Sequence, residues 1–166
     1  MTNRFKDFST EDMFLAAIKS EMESKVLYQK LADAAKNAFL KDRLNFLASE
    51  EEKHRTKLDM MFRKRSQCET IVLPEKSPVP LLDVKVLDEK MPVSEVMAQA
   101  MEAETVAAEF YKSFAVRFKK GTEERKLLMY FSVMERGHFK LLENEKKALD
   151  KKEYFDVVWP EMNMGP

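Results

Sequence analysis

The chain has 166 residues, 45% hydrophobic and 35% charged, with zero net charge. That length suits one domain with a real core, and the balanced charge gives no general attraction for nucleic acid or a membrane surface. Three Gly and six Pro among abundant Lys, Glu, Leu and Ala favour helix, while the single Cys68 excludes a disulfide framework and any CxxC zinc-ribbon or rubredoxin-type site.

The start, MTNRFKDFSTEDMF, lacks the apolar run of a signal peptide. No stretch approaches 18 apolar residues, so a cytoplasmic protein without a membrane span is expected. Many Lys and Glu beside few Gln and Asn match thermophile composition. Ser9 or Thr10 can cap a first helix, with Glu11 and Asp12 in its first turn, where the helix dipole favours negative charge. Phe14, Ala17, Ile18, Glu21, Tyr28, Leu31, Ala32 and Ala35 then keep the helical period. Lys25 lies at the edge of that stripe, and a carboxylate, Glu21, lies inside it. The helix should end near Lys36–Asn37, because Asn tolerates the left-handed conformation that ends helices.

A second helix is predicted over about 39–65. Its stripe is Leu44, Leu47, Glu51, His54 and Leu58, with a Glu and a His one turn apart where apolar side chains belong. The short link makes the two helices antiparallel. Residues 66–91 carry Pro74, Pro78 and Pro80, which exclude a continuous helix. The segment is long enough for a crossover along a bundle, and Thr70–Leu73 and Leu81–Leu87 are apolar enough to lie against the protein.

Pro92 suits a first helical position, so a third helix is predicted over 92–119. Its stripe is Met97, Met101, Glu104, Ala108, Tyr111, Ala115 and Phe118, and it ends before Gly121. Thr122 can cap a fourth helix over 122–149, striped by Leu128, Phe131, Glu135, His138, Leu142 and Leu149. The remaining tail, 150–166, is aromatic at Tyr154, Phe155 and Trp159 and is expected to pack on the bundle or on a partner subunit.

The halves are copies. With Glu21 on Glu104, Tyr28 falls on Tyr111. With Glu51 on Glu135, His54 falls on His138, Leu44 on Leu128 and Leu47 on Phe131. Duplication of one helical hairpin explains this register. Taking the first turn near 36–37, Glu21 and Glu51 both lie roughly 22 Å from it at 1.5 Å per residue. Glu104 and Glu135 lie at the equivalent level of the second hairpin, so four Glu and two His converge in mid-bundle.

Four buried carboxylates need a counter-charge. Two divalent metals supply it, with neutral imidazoles as further ligands. One Glu from each of two helices plus Glu-x-x-His from each of the other two is the arrangement of di-iron and di-manganese carboxylate bundles. Both His of the chain sit in such a motif. The expected metal ligands are therefore Glu21, Glu51, His54, Glu104, Glu135 and His138. Carboxylate and imidazole suit Fe, Mn and Zn alike. Tyr28 and Tyr111 read either as core aromatics or as donors to a ligand carboxylate two turns away. Glu23, Glu50, Glu52, Glu102 and Glu109 lie off the stripes and read as solvated surface. Cys68 has no His partner and reads as inert, and the Met residues read as core filler.

The chain resembles the rubrerythrin family of the ferritin-like superfamily over about residues 10–149. The likeness rests on Glu21 with Tyr28, Glu51-Glu52-Lys53-His54, Glu104 with Phe110-Tyr111, and Glu135-Arg136-Gly137-His138. It implies an all-α ferritin-like four-helix bundle of two antiparallel hairpins, with a long crossover between the second and third helices. It also implies a centre of two Fe ions, reduction of hydrogen peroxide to water, and a homodimer, often domain-swapped. Rubrerythrins proper carry a rubredoxin domain, whose cysteines are missing here, so a separate electron donor such as a rubredoxin-like protein is expected. They also place an extra carboxylate one turn after the third-helix ligand, where this chain has Ala107. Two other functions fit the same residues: a ferroxidase or iron-handling protein reacting with dioxygen, and a metal-binding bundle without catalysis.

Overall fold

The computed structural model describes residues 7–35, 37–67, 70–79 and 93–158, with Val93 and residues 152–158 described by backbone alone. Four helices follow one another: α1 (Thr10–Ala34), α2 (Ala38–Ser66), α3 (Val93–Ala115) and α4 (Glu123–Val158). The protein is an all-α four-helix bundle. Helix α1 packs along α2 and α3 along α4, and the two hairpins meet where α2 approaches α4.

Local sequence sets most of the helix ends. Ser9 caps α1: its Oγ accepts from the Asp12 N–H at 3.0 Å, and the Asp12 carboxylate accepts from the Ser9 N–H at 2.9 Å. This reciprocal pair satisfies two amide groups that a helix start otherwise leaves open. The expected helix-ending role of Asn37 is not what the structure shows. Helix α1 stops at Ala34, and Asn37 starts α2 instead, with extended backbone and its side chain accepting from the Leu40 N–H at 3.1 Å. Asn serves both purposes because its short side chain bonds nearby amides. The left-handed cap falls at Gln67 (φ 55°) after α2.

Two predicted boundaries move. Helix α3 ends at Ala115 rather than 119, where the Arg117 and Phe118 amides turn back to the Phe114 and Ala115 carbonyls. The Arg125 guanidinium then takes the Phe118 carbonyl at 2.9 Å. Gly121 supplies φ 91° in this turn, a conformation that costs a residue with a Cβ. Thr122 then accepts from the Arg125 N–H at 3.3 Å at the start of α4. Helix α4 runs to Val158, so residues 150–158 continue it rather than forming a tail. No Gly or Pro interrupts KKEYFDVV, and the first breaker is Pro160. The side chains of Tyr154 and Phe155, and all of Trp159, lie outside the described residues, as do Lys36, Cys68, Leu81–Leu87 and Pro92.

Two apolar clusters flank the level of the four stripe carboxylates. One holds Phe14, Ile18, Leu58, Tyr111, Phe114 and Phe131. The other holds Tyr28, Leu44, Leu47, Met97, Ala100 and Leu142. The stripes read from the sequence supply both, as the burial of one face of an amphipathic helix requires. Residues 70–79 of the crossover lie on the first cluster. Ile71 and Leu73 pack against it and Val79 is fully buried. The Ser77 N–H donates to the Glu23 carboxylate at 3.3 Å, which ties this segment to α1. Among the described residues no helix is long and apolar enough to cross a membrane.

Candidate metal centre

Each helix presents one carboxylate to the middle of the bundle: Glu21 from α1, Glu51 from α2, Glu104 from α3 and Glu135 from α4. Helices α2 and α4 each add a His one turn later, His54 and His138. Helical spacing of three places each His beside its Glu on one face. All six side chains predicted to converge do so, and each is 1–4% exposed. They form two groups whose potential ligand atoms lie within 4.8 Å of one another. One group is Glu21, Glu51, His54 and Glu135, and the other is Glu51, Glu104, Glu135 and His138. Glu51 and Glu135 therefore belong to both.

The contacts within the cluster are close but do not satisfy its polar atoms. His54 Nδ1 lies 3.1 Å from Glu135 Oε1 and 3.6 Å from Glu51 Oε2. His138 Nδ1 lies 2.9 Å from Glu135 Oε2 and 3.3 Å from Glu51 Oε1. Yet both nitrogens of both imidazoles, and Glu135 Oε1, are buried without a hydrogen-bond partner. The atoms approach off the line that a hydrogen bond needs. Orphaned polar atoms at this depth cost 1–3 kcal/mol or so each. Donor atoms that converge without bonding one another are what a pair of divalent cations would satisfy, and the carboxylate–imidazole set fits such ions.

Electrostatics divides the four carboxylates. Burial pushes the Glu21 carboxyl well up, and the neighbouring Glu51 and Glu135 charges add to this. Glu104 is pushed well up in the same way, by burial and by Glu135. For Glu51 burial also acts upward, but its close contacts with Glu21, His138 and His54 outweigh it and hold the carboxyl below its ordinary range. Glu135 is likewise held low by His138 and His54 against burial and the Glu51 charge. Burial lowers the His54 imidazole, and Glu135 and Glu51 more than reverse this, raising it to about 9. His138 is raised further, against burial, by Glu104, Glu135 and Glu51.

Both tyrosines reach the cluster. Tyr28 donates its hydroxyl hydrogen bond to Glu104, and Tyr111 donates to Glu21. The two bonds thus cross between the hairpins, α1 to α3 and α3 to α1, rather than running along one helix. Within one helix Tyr28 and Glu21 stand two turns apart, about 10 Å along the axis. Helical side chains lean toward the N-terminus, so each Tyr drops back to the carboxylate level and meets the facing helix there. Burial and the adjacent carboxylates push both phenols well up, which keeps their protons on oxygen.

The walls are apolar and unequal. Phe131 lies with its ring 4.4 Å from that of His54 and 5.3 Å from that of Tyr111. At the matching repeat position, Leu47 is fully buried. The opposite side is open by a small amount. A cavity of ≈ 10 Å³ between α1 and α3 reaches Glu21, Glu51, Glu104 and Glu135 past Ser20, Ser24, Ala103 and Ala107.

The scan against family models matches Rubrerythrin over residues 12–146. The chain belongs to the rubrerythrin family. Among solved structures, a hypothetical protein from Pyrococcus furiosus is similar, with 33% identity and a TM-score of 0.81. The match covers 90% of this chain and 96% of that one. No protein of curated function matches. The bundle is thus ferritin-like, and the family is one of di-iron carboxylate proteins. The buried cluster is the metal-binding feature expected of a rubrerythrin.

The off-stripe carboxylates divide more finely than a solvated surface. Glu102 and Glu109 are exposed, and Glu109 pairs with Arg136 at 3.1 Å. Glu50 is only 12% exposed at its side chain and pairs with Lys53. Glu52 joins Lys25 of α1 at 3.1 Å and Arg55 of its own helix, which hold its carboxyl down at about 2. Glu23 holds the crossover, as described. No stripe marks the small residues that line the cavity. The repeat would have exposed them, because the register that places Glu21 on Glu104 also places Ser20 on Ala103 and Ser24 on Ala107.

Proposed function

We propose that this chain is a non-haem di-iron oxidoreductase that reduces hydrogen peroxide to water, with electrons returned by a separate donor such as a rubredoxin-like protein. The observation that supports this best is the buried cluster of four carboxylates and two imidazoles, whose orphaned donor atoms converge. Glu21, Glu51, His54 and Glu135 would hold one ion, and Glu51, Glu104, Glu135 and His138 the other, so Glu51 and Glu135 would serve both. When bound, two ferrous ions supply the two electrons that, with two protons, turn one peroxide into two waters.

The protein's own groups prepare this chemistry. Four carboxylates against two divalent ions leave the loaded site neutral, which suits its burial. Tyr28 and Tyr111 keep their protons and fix the orientation of Glu104 and Glu21 through hydrogen bonds to carboxylate oxygen. Phe131, its ring 4.4 Å from that of His54, covers that imidazole. Among the described residues, a small cavity between α1 and α3 reaches the four carboxylates and would admit a small molecule.

The test is anaerobic loading with Fe(II), followed by mixing with hydrogen peroxide or with dioxygen while oxidation is timed. Faster oxidation by peroxide is expected. If dioxygen is faster, the peroxidase reading fails and iron handling takes its place. A particle of dimer size, rather than a hollow shell, is expected alongside.

A further inference from the structure

The cavity between α1 and α3 extends the carboxylate cluster toward the helix surface, on the side away from the imidazoles. Its volume, ≈ 10 Å³, accommodates about one water-sized molecule. Burial deepens along it. Ser24 and Ala107 are half-buried at its mouth, Ser20 and Ala103 are buried behind them, and Glu51 and Glu135 form its floor. The imidazoles take no part in the lining. Four short side chains, two from each helix in matching repeat positions, leave open a path that ordinary helix packing would fill. The cavity also ends on a residue of the proposed metal centre. Glu135, 1% exposed, lines this cavity and carries an oxygen, Oε1, with no hydrogen-bond partner.

We propose that this cleft is the port by which the oxidant reaches the cluster, and that Ser24 and Ala107 restrict its width to that of a small unbranched molecule such as hydrogen peroxide or azide. Branched alkyl hydroperoxides are hindered by their width. The inference rests on the peroxidase reading for the identity of the oxidant, and on the cavity alone for the position and width of the port. No step is added to the reaction: peroxide enters, two waters leave, and the electrons come as before. Ala107→Leu places three more carbons in a space that holds one water-sized molecule, so the helices must part before anything passes.

The test uses the full-length chain loaded with iron. Azide serves as a redox-inert probe of access, its binding to the oxidised protein followed by absorption. Hydrogen peroxide and tert-butyl hydroperoxide are compared as oxidants of the reduced protein. In the wild type, hydrogen peroxide should react and tert-butyl hydroperoxide should be slower by at least about tenfold, the least that a steric misfit costs. Ala107→Leu should keep its metal but take up azide more slowly, by roughly 5- to 150-fold, the range expected when an overpacked site must strain to open. Thr105→Leu, on the exposed side of α3, should match the wild type in both measurements. If Ala107→Leu does not fold, Ser24→Val applies the same obstruction at a half-buried position. Azide uptake at the wild-type rate in a folded, metal-loaded port variant overturns the port. Equal rates for the two hydroperoxides in the wild type overturn the size limit. A wild-type chain that binds no metal overturns instead the functional reading on which the oxidant's identity rests.

Discussion

Loading the metal-free protein with two divalent ions should release about four protons. The count follows from the charges that the buried cluster can hold. Burial and like charges push Glu21 and Glu104 well up, toward the protonated form. Glu51 and Glu135 are held low by the two imidazoles and are anionic. His54, raised to about 9, and His138, raised further, are cationic. Two carboxylates against two imidazolium ions sum to zero, so the metal-free cluster is neutral. The loaded site needs four carboxylates and two neutral imidazoles as ligands, so one proton leaves each of Glu21, Glu104, His54 and His138. That is two per ion, and affinity should fall about a hundredfold for each pH unit below neutrality, since each proton contributes a factor of ten. Calorimetric titration with Co(II) or Zn(II) at pH 7, in two buffers of different ionisation heat, measures the number. Fewer than one proton per ion would refute the charge assignment. It would mean that the carboxyls are already ionised or that the ions bind elsewhere.

Tyr111→Phe removes the buried donor to Glu21 and should cost about 1–3 kcal/mol of stability in thermal unfolding and 10- to 100-fold in metal affinity. Tyr28→Phe should behave alike through Glu104, and unchanged affinity in both would remove the tyrosines from the centre. The metal-free protein should lose stability as pH rises from 6.5 through about 9, because His54 holds its proton in the folded state and the resulting stabilisation vanishes once that proton is lost. The loss is on the order of 3 kcal/mol; a melting temperature that is flat or rising across that window would contradict it. Gly137→Ala should stabilise α4 by about 1 kcal/mol without changing metal content, raising the melting temperature by a few degrees. Gly137 is exposed in mid-helix and an added Cβ would meet nothing within 4 Å; a lower melting temperature would contradict this.

The stripes and their repeat made the bundle and the converging side chains legible. A Glu or His in an apolar stripe is conspicuous, and the same two types in the same register of the second hairpin specify where the hairpins must face. Other features depend on contacts that periodicity does not encode. Asn37 has the chemistry of both a helix end and a helix start, and only the position of Ala38 decides between them. Just past the end of α3 at Ala115, Arg125 takes the Phe118 carbonyl, a contact from the next helix. The aromatic residues after Leu149 read as a packing tail, although nothing before Pro160 stops a helix. The tyrosine bonds cross between hairpins because helical side chains lean back, which spacing along one stripe does not reveal. The port is defined by what Ser24 and Ala107 lack, and a missing side chain leaves no pattern unless the two repeats are laid over each other.

These six side chains should hold two metal ions, with Glu51 and Glu135 common to both. Metal content per chain, measured on protein purified without chelator, tests it directly across four proteins. The wild type and Glu50→Ala should carry two ions. His138→Ala should keep about one, and Glu51→Ala should fall below that, since its carboxylate belongs to both groups. A wild type well below two ions that is no less stable after chelation, or equal losses in Glu50→Ala and Glu51→Ala, would contradict the assignment.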